Sequence, residues 1–268
     1  MGFSVATWNI NSVRLRIDLV CRFLKEQEPD ILCLQETKCP QGQFPAAKLK
    51  ALGYEHIAEF GQKGYHGVAI VSRIPFTDQA SRDFCNKGDC RHVSVRLALP
   101  EPVILHNFYI PAGGDEPDPG INEKFAHKLS FLDELRSWTK GDARPPGHEA
   151  ILVGDLNIAP LTEDVWSHRD LLKVVSHTPV ETEALLDIQK VGGWHDIMRK
   201  HVPADQKLYT WWSYRARDWL AANRGRRLDH VWTSEGLARR SSAISVLKEA
   251  RGWAQPSDHV PVIARFDN

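Results

Sequence analysis

Two signatures alternate along the chain: short, near-continuous apolar runs, and longer stretches whose apolar residues recur at helical spacing. Residues 3–8 and the run Ile31-Leu32-Cys33-Leu34 read as buried strands, and residues 91–99, 103–109, 228–232 and 259–266 read as further strands. Between the first two, Ile17, Val20, Cys21 and Leu24 stand at i, i+3, i+4 and i+7, which predicts an amphipathic helix over residues 16–27, stopped by Pro29-Asp30. Residues 45–52 predict a short helix closed by Gly53. The longest predicted helix covers residues 122–140, with Phe125, Leu129, Leu132, Leu135 and Trp138 on its apolar face. Thr178-Pro179-Val180-Glu181 is a capping box with proline at the first helical position, and Gly192-Gly193 ends the helix it starts. The glycine-rich run over residues 60–71 opens into a strand rather than a helix. It therefore reads as a tight turn and not as a phosphate-binding loop.

The polar residues that follow the apolar runs carry the chemistry. Ile151-Leu152-Val153 forms a central buried strand closed by Gly154, and it delivers Asp155 and Asn157, two residues apart. In extended chain that spacing puts both side chains on one side. A carboxylate beside an amide suits metal-assisted hydrolysis: Asp155 can bind a hard cation or take a proton from water, and Asn157 can hold the attacked group. The plainer alternative is an Asp/Asn turn at a strand end. Asn9 and Glu36 occupy the same setting, just past residues 3–8 and 31–34, and Tyr109 ends residues 103–109. A lone Glu at such a place is usually a solvated loop carboxylate, and a strand-end Tyr is usually packing. Asp229 opens another strand, and Asp258 and His259 stand at the start of the last one. In an antiparallel sheet the start of one strand lies beside the end of its neighbour, so all these groups can share one sheet edge.

Composition narrows the class. The 268 residues are 42% hydrophobic and 25% charged, ordinary for a soluble globular protein, and the net charge is zero. Any field that attracts nucleic acid must therefore be local. Five cysteines, odd in number and without a CxxC pair, point to reduced thiols in a cytoplasmic protein rather than a disulfide framework or a zinc site, Cys85 and Cys90 included. No basic-then-apolar leader and no apolar run of membrane-spanning length is present, so a membrane role is not expected. The local field appears in residues 207–229. There Tyr209, Trp211, Trp212, Tyr214 and Trp219 are interleaved with Lys207, Arg215, Arg217, Arg224, Arg226 and Arg227, opposed by few acids. Aromatics that stack on bases and arginines that hold phosphates make a nucleic-acid surface; a tryptophan-rich core with a snorkelling arginine rim is the alternative.

Strands outnumber helices, with no linker and no internal repeat. The pattern predicts one domain over residues 1–268, in the α/β class, with two packed, mostly antiparallel sheets flanked by helices. At this point the chain resembles the endonuclease/exonuclease/phosphatase superfamily, in Trp8-Asn9-Ile10-Asn11, Leu34-Gln35-Glu36-Thr37-Lys38, Gly154-Asp155-Leu156-Asn157 and Ser257-Asp258-His259. It is similar to the exonuclease III branch of abasic-site DNA repair nucleases in three further runs: Gly61-Gln62-Lys63-Gly64 with Gly67-Val68-Ala69-Ile70, residues 209–215, and Asn223-Arg224-Gly225-Arg226-Arg227-Leu228-Asp229. The resemblance implies a four-layer αββα sandwich.

For the site, the resemblance implies Glu36 as main Mg²⁺ ligand, with Asn9 and Asp258 close to the metal and Asp155, Asn157 and His259 around it; Mn²⁺ would substitute. Asp155 would orient or deprotonate water or protonate the leaving oxygen, Asn157 and Tyr109 would contact the scissile phosphate, and His259, oriented by Asp229, would stabilise charge on it. Arg91, Trp211, Arg215, Arg217, Asn223, Arg226 and Leu228 would contact DNA. Trp211 and Leu228 match two walls of the pocket that accepts a flipped abasic sugar in this branch. The third wall falls on Arg226, whose guanidinium either swings out to a phosphate, the arrangement expected here, or lies across Trp211 and narrows the pocket. The implied activity is Mg²⁺-dependent hydrolysis of duplex DNA 5′ to abasic sites, with 3′→5′ exonuclease action and trimming of blocked 3′ ends, by a cytoplasmic (nucleoid-associated, if bacterial) monomer. Two alternatives are a superfamily phosphoesterase acting on a phosphoinositide-like substrate, and a catalytically dead DNA-binding module. The Trp/Tyr/Arg stretch disfavours the first and the full set of acids the second.

Overall fold

The structure is a computed structural model and describes residues 2–268. One six-stranded sheet has the order β13-β14-β1-β2-β4-β3, from β1 (Phe3–Asn9), β2 (Ile31–Gln35), β3 (His56–Phe60), β4 (Val68–Ser72), β13 (Ser241–Val246) and β14 (Val262–Phe266). The other has the order β5-β6-β7-β8-β12-β9, from β5 (Phe76–Ala80), β6 (His92–Leu97), β7 (Val103–Tyr109), β8 (Glu149–Asp155), β9 (His195–Asp196) and β12 (Asp229–Thr233). Each sheet is antiparallel except for one parallel pair, β1 with β2 and β7 with β8.

Alternation along the strands builds the layers. Val5, Ile31, Cys33, Ile70, Val95, Leu105, Ile151, Val153 and Val231 point inward and fill the space between the sheets. Their neighbours Ala6, Trp8, Leu32 and Leu34 point outward under α1 (Ile17–Gln27) and α2 (Ala46–Lys50). On the opposite side Phe108, Ala150, Leu152 and Trp232 point outward under α3 (Glu123–Gly141) and α5 (Pro179–Val191), completing an αββα sandwich. The Asn122 side chain caps α3 by accepting from the Lys124 and Phe125 amides, one residue inside the predicted start. The Thr178–Glu181 capping box of α5 is present as read.

Not every element was legible. Edge strands β3, β5 and β13 were not predicted, and the burial of β5 shows why: four of its five residues are exposed, leaving no apolar pattern. The run over residues 60–71 is the hairpin between β3 and β4, which pair from Phe60↔Val68 onward. The last strand begins at Val262, and of the residues before it His259 makes an isolated antiparallel bridge to Trp211.

The topology gathers the site. The parallel pairs end together, Asn9 beside Gln35 and Tyr109 beside Asp155. Asp229 opens β12 directly opposite Asp155. Because β14 runs antiparallel to β1 with Val262 opposite Thr7, the chain just before β14 crosses the same edge. Two glycines allow close approach there. A Cβ on Gly154, which faces Phe108 across the parallel ladder at φ 142°, would sit 1.9 Å from the Phe108 carbonyl oxygen. A Cβ on Gly67 would fall 2.2 Å from Thr37 Oγ1. Between the sheets, just below this edge, Gln35 Nε2 donates to Asn107 Oδ1 (2.7 Å) and Thr7 Oγ1 (2.9 Å), and Asn107 Nδ2 donates to the Leu34 and Ala69 carbonyls. This buried amide network fixes one sheet against the other. All five cysteines are free, and among the described residues no helix is long and apolar enough to cross a membrane.

Candidate active site

Asn9 joins the two sheets. Its Nδ2 donates to Glu36 Oε1 at 2.9 Å within its own sheet and to Asp155 Oδ2 at 2.8 Å on the other. Asn157 then holds Asp155 by both oxygens: its main-chain N–H donates to Oδ1 (3.0 Å) and its Nδ2 to Oδ2 (3.2 Å) and to the Ile110 carbonyl (2.9 Å). Both hydrogens of the Asn157 amide are thereby committed. In this arrangement Asn157 orients Asp155, whereas the sequence had suggested a direct grip on a phosphate. On the far side His259 Nε2 faces Asp155 Oδ2 at 3.6 Å while His259 Nδ1 is hydrogen-bonded to Asp229 Oδ2 at 2.8 Å. The Thr210 hydroxyl accepts from the Leu228 and Asp229 amides, which pins the start of β12.

Electrostatics follow from this burial. Asp155 is 1% exposed. Burial pushes its carboxyl up to about 7, against the opposing pull of His259 and the Asn9 hydrogen bond. Burial disfavours the His259 imidazolium too, but Asp229 and Asp155 outweigh it and push the ring up to about 10. At neutral pH the site therefore presents a charged imidazole beside a carboxyl poised to gain or lose a proton. Tyr109 is held protonated well above the usual phenol range, by burial first and then by Glu36 and Asp155.

The oxygen donors suited to a hard cation lie on the open side. Glu36 remains partly accessible; burial would raise its carboxyl, but Lys38 and Asn9 outweigh that and hold it below the usual range. Lys38 Nζ lies 2.8 Å from Glu36 Oε2 and donates to Asn11 Oδ1 at 2.6 Å. Asn11 Nδ2 in turn reaches Asp258 Oδ1 at 3.4 Å. An ammonium standing against Glu36 shows that this position favours positive charge. A donor set of carboxylates and carboxamides, without thiolates, fits Mg²⁺ or Mn²⁺. Asp155, Asp229 and His259 also cluster closely enough to ligate an ion. There, however, one of the three groups is an imidazole with Nδ1 committed to Asp229, whereas Glu36 and Asp258 with the neighbouring amides offer oxygen donors only, the better fit to a hard cation. Neither Asn11 nor Lys38 was among the residues expected at the site, although both lie in the runs that carried the resemblance.

Beside these groups a cavity of about 700 Å³ is lined by Trp211, Leu228, Val175, Arg226, Asn157 and His259. It is framed by a two-stranded ribbon, β10 (Trp211–Trp212) and β11 (Gly225–Arg226), in which Trp211 pairs with Arg226. The Trp211 indole N–H donates to Asp258 Oδ2 at 2.9 Å. Arg226 corrects the expectation made for it. Its guanidinium is not swung outward: Nη1 donates to the Val175 carbonyl (2.9 Å) and the Ser176 hydroxyl (2.7 Å), and Cζ lies 5.4 Å from the Trp211 ring centroid. It narrows the pocket.

Two other arginines leave the expected DNA surface. Arg91 is 5% exposed, pairs with Asp89 at 2.6 Å, donates to the Tyr109 carbonyl at 3.3 Å and stacks on the Tyr109 ring. It braces Tyr109. Arg227 is fully buried, with Nε and Nη2 on Asp164 (2.7 and 2.8 Å) and Nη1 on Asp196 (2.6 Å). Arg215 and Arg217 are exposed, as expected, and so is Asn223, which accepts from Trp212 Nε1 and Lys248 Nζ.

The profile of the endonuclease/exonuclease/phosphatase family matches residues 6–259. The chain is 26% identical to exodeoxyribonuclease III of Haemophilus influenzae, over 97% of this chain and 98% of that protein. Among solved structures it is similar to an AP endonuclease from Archaeoglobus fulgidus (32% identity, TM-score 0.91, 99% of this chain and 100% of that one). It is also similar to a 3′ phosphatase from Neisseria bound to a product DNA hairpin (31% identity, TM-score 0.90, 99% and 100%). The chain belongs to the endonuclease/exonuclease/phosphatase family, within its branch of exonuclease III-type nucleases.

Proposed function

We propose that this DNA repair nuclease hydrolyses phosphodiesters of duplex DNA on the 5′ side of abasic sites, and that it also trims 3′ ends, with Mg²⁺ held by Glu36 and Asp258 and the amides of Asn9 and Asn11 beside them. The observation that carries the reading is the two-sheet junction, where Asn9 hydrogen-bonds Glu36 and Asp155 at once. A bound divalent cation would neutralise charge on the phosphate oxygens. Asp155 accepts the proton of the attacking water, or returns one to the leaving oxygen, with a carboxyl raised to about 7. Asn157 keeps its two oxygens in register for that transfer. His259, held charged by Asp229, faces the negative charge that builds on the phosphoryl oxygens. Arg215 and Arg217 hold the backbone of the duplex, and the Trp211–Leu228 pocket takes the extruded sugar, which costs least at a damaged site. DNA is the substrate, and the protein acts as a monomer.

One assay tests this reading. Duplexes carrying an abasic site, a 3′-phosphate or no lesion are incubated with the protein, with and without chelator. Cation-dependent cleavage of the abasic and 3′-blocked duplexes is expected. Hydrolysis of an inositol polyphosphate instead, or DNA binding without cleavage, would overturn it.

A further inference from the structure

Lys128 stands on the apolar stripe of α3, between Phe125 and Leu132, and it is buried completely, as is its ion-pair partner Glu181 on α5. Nothing in the chemistry above uses either residue. The contacts of the pair show what it holds. Lys128 Nζ donates to Glu181 Oε1 at 2.5 Å, to the Asn157 carbonyl at 2.8 Å and to the Ala112 carbonyl at 3.3 Å. Glu181 accepts the Ser176 amide on both oxygens (3.0 and 2.9 Å), together with the amide and hydroxyl of Thr178. Both held positions have left-handed backbone without being glycine: Asn157 at φ 53° and Ser176 at φ 84°. Such conformations persist only where the surroundings over-determine them. Asn157 grips both Asp155 oxygens, and the Ser176 hydroxyl anchors the Arg226 guanidinium.

We infer that the buried Lys128–Glu181 pair is a positioning device for catalysis: Lys128 locks the Asn157 main chain that aligns the Asp155 carboxylate, while Glu181 locks the Ser176 turn that anchors Arg226 across Trp211. One ion pair thereby ties the acid–base group to the pocket wall. This rests on Asp155 acting in phosphodiester hydrolysis, as proposed above. A buried ion pair is weak evidence of stabilisation by itself, since its desolvation offsets its attraction. Its directed contacts to two strained loops are what assign it a role.

Lys128→Met alone leaves a buried carboxylate unpaired and risks misfolding, so the decisive variant is Lys128→Met with Glu181→Gln. It carries no buried charge, and the Gln carbonyl oxygen still accepts the Ser176 amide. The two arms of the device then separate. The double variant is expected to unfold cooperatively and to show KM within about twofold of wild type. Its kcat should fall roughly 10- to 100-fold, the scale of a misplaced catalytic group. Amide hydrogen exchange should accelerate over residues 156–159 while residues 174–178 stay protected. Wild-type kcat, whatever the exchange shows, would overturn the inference. So would a fall in kcat accompanied by faster exchange throughout the molecule, because that is loss of stability rather than of position. Asn157→Ala serves as the control: cleavage at the wild-type rate would show that Asn157 does not align Asp155 and would overturn the inference while leaving the functional reading in place, whereas failure of the wild-type protein itself to cleave abasic duplex would overturn the functional reading.

Discussion

Asn9 and Asp155 come from different sheets, lie 146 residues apart in sequence, and meet at 2.8 Å. The hydrogen bond makes one site out of two half-sites. Glu36 is delivered by the first sheet, Tyr109 and Asp155 by the second, and the Gln35–Asn107 network below holds the sheets in register. The positions that deliver the chemistry are strand ends rather than flexible loops, which suits a reaction that depends on alignment.

The Arg226 guanidinium lies across Trp211, and a prediction follows for selectivity. Arg226→Leu should change the preference for abasic over intact duplex more than it changes the salt dependence of binding. Trp211→Ala should erode that preference by about 1–3 kcal/mol, the range of lost stacking. Competition cleavage assays measure both. If Arg226→Leu instead flattens the salt slope by about 0.9 with selectivity intact, the arginine is bound to a phosphate.

Arg215 and Arg217 are exposed cations of the aromatic stretch, which also exposes Lys207 and Arg224. Replacing both with Ala should reduce the slope of log affinity against log salt by up to about 2, near 0.9 for each phosphate that is no longer neutralised. Binding titrations at several salt concentrations decide this, and an unchanged slope would move the duplex to another face.

Arg227 makes the contrary case. Because it is buried between Asp164 and Asp196, Arg227→Met should cost about 3–5 kcal/mol of stability by leaving Asp196 without its cation and Asp164 with Arg199 alone. The salt slope of binding should not move. Denaturant melts and the same binding titration separate the two effects.

His106 supplies a pH signature. It is 4% exposed, donates from Nε2 to the Ala143 carbonyl at 2.7 Å, and as a neutral ring accepts at Nδ1 from His92 Nε2 at 3.1 Å. Burial lowers its imidazole to about 4. The unfolded chain therefore takes up this proton near pH 6.5, whereas the folded chain takes it up only near 4. The stability that His106 supplies as a neutral ring is present above pH 6.5 and is lost as pH falls through that window, at about 1.4 kcal/mol per pH unit. His106→Phe should show a pH dependence of unfolding shallower by that amount between pH 6 and 4.5. An identical slope would mean that the ring is protonated in the folded protein.

Much of the site was legible because apolar runs announce where strands stop. Asn9, Glu36, Tyr109 and Asp155 each follow such a run, and antiparallel geometry accounts for Asp258 and His259. The corrections concern Asn157, whose amide is committed to Asp155 and Ile110, and the arginines. Whether Arg91, Arg226 or Arg227 faces solvent is decided by Asp89, Ser176 and Asp164, and the last two lie 50 and 63 residues away from the arginines they meet. Local composition carries no trace of those pairings. Lys128 did leave one: a lysine on the core stripe of a helix, in line with Phe125, Leu132 and Leu135, marks a buried charge that needs a partner.

In the proposed function Asp155 performs the proton transfer of DNA hydrolysis. This role is tested most directly by Asp155→Asn, measured for single-turnover cleavage of an abasic duplex and, separately, for binding of that duplex. Cleavage is predicted to fall by roughly 10³-fold or more, through loss of a proton-transfer group that also orients water, with affinity retained. Near-wild-type turnover in this variant would contradict the account.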